Sequence, residues 1–220
     1  MIDLSAADAA GIKLSGLIGK SLDTSFVSME YDGARDYAGN VLRRIGTEEG
    51  LPVDFFEGDT VSPILQEVDI DLSDADTAYM TLTFSEPVQD LSSEDITFIT
   101  LQSRYARRDG SQFTLTGGTS AVKEGSFGLQ HVVALLPEDR ILMMRTPGLL
   151  RALKSTYLTV SQNLTSDLLG NPLIPYVDGH ALLSSIYIPD EKPPFVQYIV
   201  MDWDAGTITF SMNEPVLLNY

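Results

Sequence analysis

Apolar and polar residues alternate cleanly through the middle of the chain. Between residues 77 and 84, Met80, Leu82 and Phe84 fall on one side and Tyr79, Thr81 and Thr83 on the other, the period of two that marks a half-buried strand. Similar stretches predict strands over 64–72, 95–102, 112–116, 129–135, 156–161 and 182–188, separated by turns rich in Gly, Asp, Asn and Ser. One stretch breaks the period. Pro137-Glu138-Asp139 opens a helix that runs to Arg145 and stops at Pro147-Gly148, because proline presets φ and first-turn acids suit the helix dipole. Residues 149–153 add a second helical turn, and near the start Ser5-Ala6-Ala7-Asp8 offers an N-cap instead.

The pattern occurs more than once. Asp36-Tyr37-Ala38-Gly39-Asn40 and Asp167-Leu168-Leu169-Gly170-Asn171 share the form D-x-x-G-N and lie 131 residues apart. At that offset residues 1–59 align with 132–190 without a gap, placing Leu4 on Leu135, Leu22 on Leu153, Leu42 on Leu173 and Asp59 on Asp190. The register passes through Pro63 and Pro194 and then tightens at a turn, so that Glu86-Pro87-Val88 matches Glu214-Pro215-Val216 at an offset of 128. Such self-similarity predicts an array: the C-terminal part of one repeat (1–58), a complete repeat (59–189) and the N-terminal strands of the next (190–220). Met1 then falls inside a repeat, which places the parent chain's start upstream. The end pieces need covers, supplied either by more chain or by neighbouring copies acting as strand donors. The equivalent of residues 93–131 is in neither piece.

About seven strands per repeat with one short crossover helix describe an all-β fold, a tandem β-sandwich of immunoglobulin (Ig) type. A closed barrel is the main alternative, and the linear repeat favours sandwiches strung in a row. Cysteine is absent, which removes the antibody-type Cys–Trp–Cys core, any disulfide framework and thiolate metal sites.

Composition narrows the partners. A hydrophobic fraction of 44% with 20% charged residues belongs to a globular chain, and the net charge of −17 argues against nucleic acid. The longest apolar runs, such as Ile141-Leu142-Met143-Met144, are far short of a membrane span. No basic region followed by an apolar run is legible at the N-terminus, so no signal peptide is visible there.

Three motifs in fixed order carry a resemblance. Asp59-x-x-x-Pro63 opens a strand, Phe84-Ser85-Glu86-Pro87-Val88 follows the second strand, and Asp167-x-x-Gly170-Asn171 comes near the end. Together they resemble the tandem bacterial-type Ig-like repeats of S-layer proteins, adhesins and other large surface proteins. The third unit departs by having Met212-Asn213 where the family has Phe-Ser, and the linker at Asp59 has one proline where Pro193-Pro194 has two. The resemblance implies an extracellular structural or adhesive role without catalysis, with neighbouring repeats and other copies in a filament or surface array as partners.

Catalytic motifs are missing. His131 sits in a strand and His180 in a loop, and neither belongs to a G-x-S-x-G, H-E-x-x-H or phosphate-loop pattern. No cofactor is required, but Ca²⁺ is the ion to consider, because hard cations take oxygen ligands gathered on loops. Asp69, Asp71, Asp74 and Asp76 crowd one hairpin end, with Asp202 and Asp204 in the third unit, although such acids also serve simply to keep a hairpin tip solvated. A junction site could use linker Asp59 or Asp190 together with Asp36, Asp167 or Glu86. The D-x-x-G-N loop also has a purely structural explanation, since Asp caps backbone N–H groups and Gly or Asn accept positive φ. Asn163-Leu164-Thr165 is an N-glycosylation sequon, meaningful only in a secreted eukaryotic protein. Two functions are therefore expected to compete: a structural spacer and assembly module, or a Ca²⁺-dependent adhesin module binding carbohydrate or protein.

Overall fold

A computed structural model describes residues 2–74, 77–214 and 216. In chain order the elements are α1 (Ala6–Ser15), β1 (Phe26–Val27), β2 (Leu51–Pro52), β3 (Leu65–Asp71), β4 (Tyr79–Phe84), α2 (Ser93–Ile96), β5 (Ile99–Gln102), β6 (Gln112–Thr114), β7 (Gly118–Val122) and β8 (Gln130–Leu135). They continue as α3 (Pro137–Arg145), β9 (Tyr157–Val160), β10 (Leu182–Leu183), β11 (Ile186–Ile188), β12 (Val196–Asp202) and β13 (Thr207–Met212). The fold is all-β in class, with strands in several sheets and few helices.

The two main sheets are built from strands between residues 65 and 188. A five-stranded sheet, ordered β11-β3-β4-β8-β7, faces a four-stranded sheet, ordered β10-β9-β5-β6, and the two share one hydrophobic cluster. Leu65, Val68, Ile70, Met80, Leu82, Phe84 and Val133 enter it from the first sheet; Ile99, Leu101, Leu158 and Val160 enter from the second. The inward residues of β3 skip from Leu65 to Val68 because a bulge between Leu65 and Glu67 puts an extra residue opposite β4, so alternation resumes one residue late. All pairs are antiparallel except β11 with β3, which is parallel. The chain changes sheets between β10 and β11 at Ser184, whose buried hydroxyl donates to the carbonyls of Val68 and Ile186.

The strand count differs from expectation. Nine strands, β3 to β11, lie between residues 65 and 188, not seven. Residues 95–102 are not one strand: Ser92 and Asp95 cap each other's backbone and wind 93–96 into α2 before β5 begins. Gly117-Gly118 does not only close β6 but opens β7; a Cβ at Gly118 would lie 2.7 Å from the Ala134 carbonyl oxygen, so only glycine lets β7 lie this close to β8. The last expected strand is split between the two sheets by Ser184. Helix α3 lies where expected, and buried Asp139 fixes its first turn by accepting the Thr116 N–H and hydroxyl, each at 2.7 Å.

Local geometry recurs at the sequence offset. Phe26↔Pro52 and Val27↔Leu51 in β1–β2 match Tyr157↔Leu183 and Leu158↔Leu182 in β9–β10. The bridges Met29↔Ile45 and Arg35↔Val41 match Val160↔Tyr176 and Ser166↔Pro172. Hairpin β12–β13 repeats β3–β4 down to the bulge, now between Val196 and Tyr198. Asn213 stands in for Ser85: its Oδ1 accepts the Phe195 N–H as Ser85 Oγ accepts that of Ile64.

His131 is fully buried on β8, edge-on to Phe84 with ring centroids 5.8 Å apart, and neither ring nitrogen has a hydrogen-bond partner. Burial lowers its pKa from 6.5, and the Asp90 charge opposes this without cancelling it. The unfolded chain therefore binds a proton below pH 6.5 that the folded chain refuses, and stability falls as pH drops through that window. Chemical denaturation at stepped pH should show this loss, up to about 1.4 kcal/mol per pH unit, and His131→Phe should remove that component.

Candidate functional site

The sequence-selected acids converge at one place. Asp59, Glu86 and Asp167 each present a carboxylate oxygen, all within 4.8 Å of one another, and among the described residues no other such group of three forms. Each arrives from a different element: Asp59 from the linker before β3, Glu86 from the turn after β4, and Asp167 from the D-x-x-G-N loop after β9. Strand pairing holds them together, through the bridge Val88↔Asp167 and the Gln89 N–H to Ser166 carbonyl bond of 2.9 Å.

The D-x-x-G-N loop is a self-closed cap. Asp167 Oδ1 accepts the N–H groups of Leu169 and Asn171 at 2.9 and 2.8 Å, and Oδ2 accepts the Asn171 amide at 2.8 Å. Gly170 takes a φ of 94°, in the left-handed region that favours glycine. Asp36 makes the same three bonds to Ala38 and Asn40, with Gly39 at 90°. The Asn40 side chain, then its backbone N–H, holds the exposed Asp36 carboxyl below its usual 3.8. Only Asn171 reaches further, donating to the Asp59 carbonyl at 3.1 Å and so tying its loop to the linker.

A cation already faces the acids. Lys13, in the last turn of α1, places Nζ 2.5 Å from Asp59 Oδ2 and 2.6 Å from Glu86 Oε2. Burial alone would lower the Lys13 pKa, but its bonds to Asp59 and Glu86 and their charges outweigh this and raise it above 10.5. The same Lys13 bond, aided by the Val61 N–H, lowers Asp59 below 3.8. An amine touching a carboxylate is also the arrangement from which an amide forms with loss of water. That step needs both groups neutral, and these shifts hold both charged. Leu14, the next residue, lines a groove with Val88, Phe127, Gly128 and Leu168, so the contact has an apolar half.

The following junction uses the same parts in part. Asp190, the counterpart of Asp59, pairs with Arg140 of α3 at 2.7 Å, both side chains being almost wholly buried. Arg140 also donates to the Asp74 carbonyl at 3.3 Å. Arg145 lines a cavity of about 290 Å³ with Glu214 and Val216, the counterparts of Glu86 and Val88.

Of the five acids expected to form junction sites, the structure thus joins Asp59, Glu86 and Asp167. Asp190 serves the next junction, and Asp36 caps its own exposed loop. The hairpin acids cap turns: Asp71 accepts the Ser73 N–H, Asp74 that of Thr77 and Asp202 that of Ala205. Asp76 lies outside the described residues. Asn163 is exposed on a short helical turn, and the Thr165 hydroxyl of its sequon donates to the Gln89 carbonyl. Lys13 was not singled out in the sequence, although a lysine near the end of a helix that precedes an acidic linker is a legible signal.

No protein-family model, curated protein or solved structure matches this chain. What the site can do follows from its atoms. Asp167 has its oxygens engaged by backbone and amide donors, and Lys13 bridges Asp59 and Glu86, offsetting one of their two charges. A Ca²⁺ ion prefers six to eight oxygens, so it would have to displace the ammonium and recruit further ligands. Lys13→Met should lower Tm, by about 1–2 kcal/mol of stability for a partly exposed, doubly bonded ion pair, and create a Ca²⁺ response that the parent chain lacks in melts with Ca²⁺ or chelator. The pair's contribution should be full between pH 3.8 and 10.5. It is lost below that range as pH falls through the lowered Asp59 value, and above it as pH rises through the raised Lys13 value.

Proposed function

We propose that the chain is a run of Ig-like β-sandwich repeats from a large extracellular filament, appendage or surface layer, acting as spacer and assembly module without catalysis. Its units are 1–58, 59–189 and 190–220. The resemblance of the three ordered motifs supports this, as do the bonds that recur 131 residues apart. In such an array each unit carries its own core and short junctions limit bending. The paired cations, Lys13 on Asp59 and Arg140 on Asp190, fit that role.

One observation carries the assembly part. Hairpins β3–β4 and β12–β13 share strand register and bulge, yet one is buried and the other bare. Ile70 is 1% exposed and its counterpart Met201 51%; Met80 is 0% and Ile208 55%; Leu82 is 0% and Phe210 57%. Covering an apolar side chain of this size yields about 1.5–3 kcal/mol, so such a hairpin is a joint, not a finished surface. For β3–β4, the cover includes β11, which pairs in parallel with β3. By the offset, residues 55–57 of another copy would lie against 200–202. Sedimentation of the chain over a range of concentrations should show mass rising above 24.1 kDa, and Met201→Glu with Phe210→Glu should return it to the monomer. A parent chain that stays monomeric throughout would count against an assembly module.

The second reading, an adhesin module using Ca²⁺, is supported by the three convergent carboxylates, provided that Lys13 withdraws.

A further inference from the structure

Charge in this chain is lopsided: 31 acidic residues against 14 Lys and Arg. Among the described residues, five of the 14 Lys and Arg side chains are engaged. Lys13, Arg44 and Arg140 form ion pairs, while Arg35 and Arg151 donate to backbone carbonyls. Of the cations left unengaged, three gather at the loop between β5 and β6. Arg104, Tyr105 and Arg108 there, with Lys154 and Tyr157 across from them and Ser111 between, line an open cleft of about 670 Å³. Among the residues whose side chains are described, no Asp or Glu lines it. None of its three cations makes an ion pair or side-chain hydrogen bond among the described residues.

The loop is built, not slack. Ser103 and Ser111 exchange bonds, the Ser111 N–H donating to Ser103 Oγ and the Ser103 N–H to the Ser111 carbonyl, both at 2.9 Å. A Cβ at Gly110 would meet Ser103 Oγ at 2.8 Å, so glycine is needed for the loop to fold this tightly. On its other side the Arg107 N–H donates to Asp178 at 2.5 Å, and the Tyr105 hydroxyl meets His180 Nδ1 at 3.0 Å. The Tyr105 ring also packs edge-on against Tyr157, 6.4 Å between centroids. Three like charges are therefore gathered around one open cleft, a setting that attracts an anion.

We infer that this cleft is a binding site for an acidic oligosaccharide, one carrying carboxylate or sulfate groups. The guanidinium groups of Arg104 and Arg108 and the Lys154 ammonium take the anions. Tyr105 and Tyr157 offer ring faces for sugar C–H groups, and Ser111 a hydroxyl. An acidic protein partner fits less well, because protein interfaces centre on a buried apolar anchor and the cleft is rimmed by charge. The remote acids of this chain do not forbid an anion there: at physiological salt the screening length is about 8 Å. Asp178, which binds the far side of the loop, is not among the lining residues. This site is independent of the array proposal.

Affinity electrophoresis through gels containing polygalacturonate, dextran sulfate or neutral dextran tests it. Retardation by one or both anionic glycans and not by neutral dextran is expected, and which one retards identifies the anion. Arg104→Ala with Arg108→Ala should weaken retardation at least about tenfold. Lys20→Ala with Arg43→Ala, which removes the same amount of charge elsewhere, should leave it nearly unchanged. Circular dichroism melts of both double variants confirm that they fold. No retardation, equal loss in both variants, or a fall in self-association on Arg104→Ala with Arg108→Ala in place of lost glycan binding would each overturn the assignment, the last in favour of a protein partner.

Discussion

An apolar hairpin face must be covered, and this molecule shows the same hairpin with and without its cover. β3–β4 has β8 on one edge, β11 on the other and the four-stranded sheet across its face, and its inward residues are sealed. β12–β13 has identical register and no such neighbours among the described residues. Residues 1–58 are the mirror case. They repeat the local bonds of 132–189 while burying little beyond Ala10 and Ser25. In both, the local bonds form although little of the apolar surface is covered, so their shape is set locally.

The junction at Asp59 is set up by the same economy of local structure. The linker turn at Asp59, the turn at Glu86 and the cap at Asp167 are each held by backbone bonds, and together they gather three carboxylates that would repel without a cation. Lys13 supplies that cation from the helix before the linker. At the next junction the cation comes from Arg140, one helical turn earlier than the Lys13 position, and it too meets the linker aspartate. The aspartate is constant between the two while its partner varies, so the linker is a place where a preceding helix is held by charge, with Leu14 adding an apolar contact at the first of them.

Much of this was legible. The 131-residue offset anticipated every pairing of β1–β2 with β9–β10, and alternation in 79–84 gave the buried set Met80, Leu82 and Phe84. The D-x-x-G-N loop was expected to cap itself, and it does so twice with the same bonds. Other features were hidden for definite reasons. The Ser92–Asp95 cap beat the strand propensity of Ile96 and Phe98, a competition that alternation cannot see. Ser184 splits one apolar run between two sheets, which only tertiary packing decides. Lys13 reads as an ordinary helix lysine until the chain folds 46 residues back on it. The Arg104-Tyr105-Ala106-Arg107-Arg108 run was plainly visible against a net charge of −17, but its concave setting, with Lys154 opposite, was not.

The account turns on whether β12–β13 is a joint awaiting a strand. Amide hydrogen exchange on the intact chain, followed from dilute to concentrated solution, addresses this directly. Amides of β3 and β4 should be protected at every concentration, while those of β12 should exchange rapidly when dilute and slow as copies associate, in step with those of residues 55–57. Protection of β12 that is absent at every concentration, or gained without any change at 55–57, would contradict it.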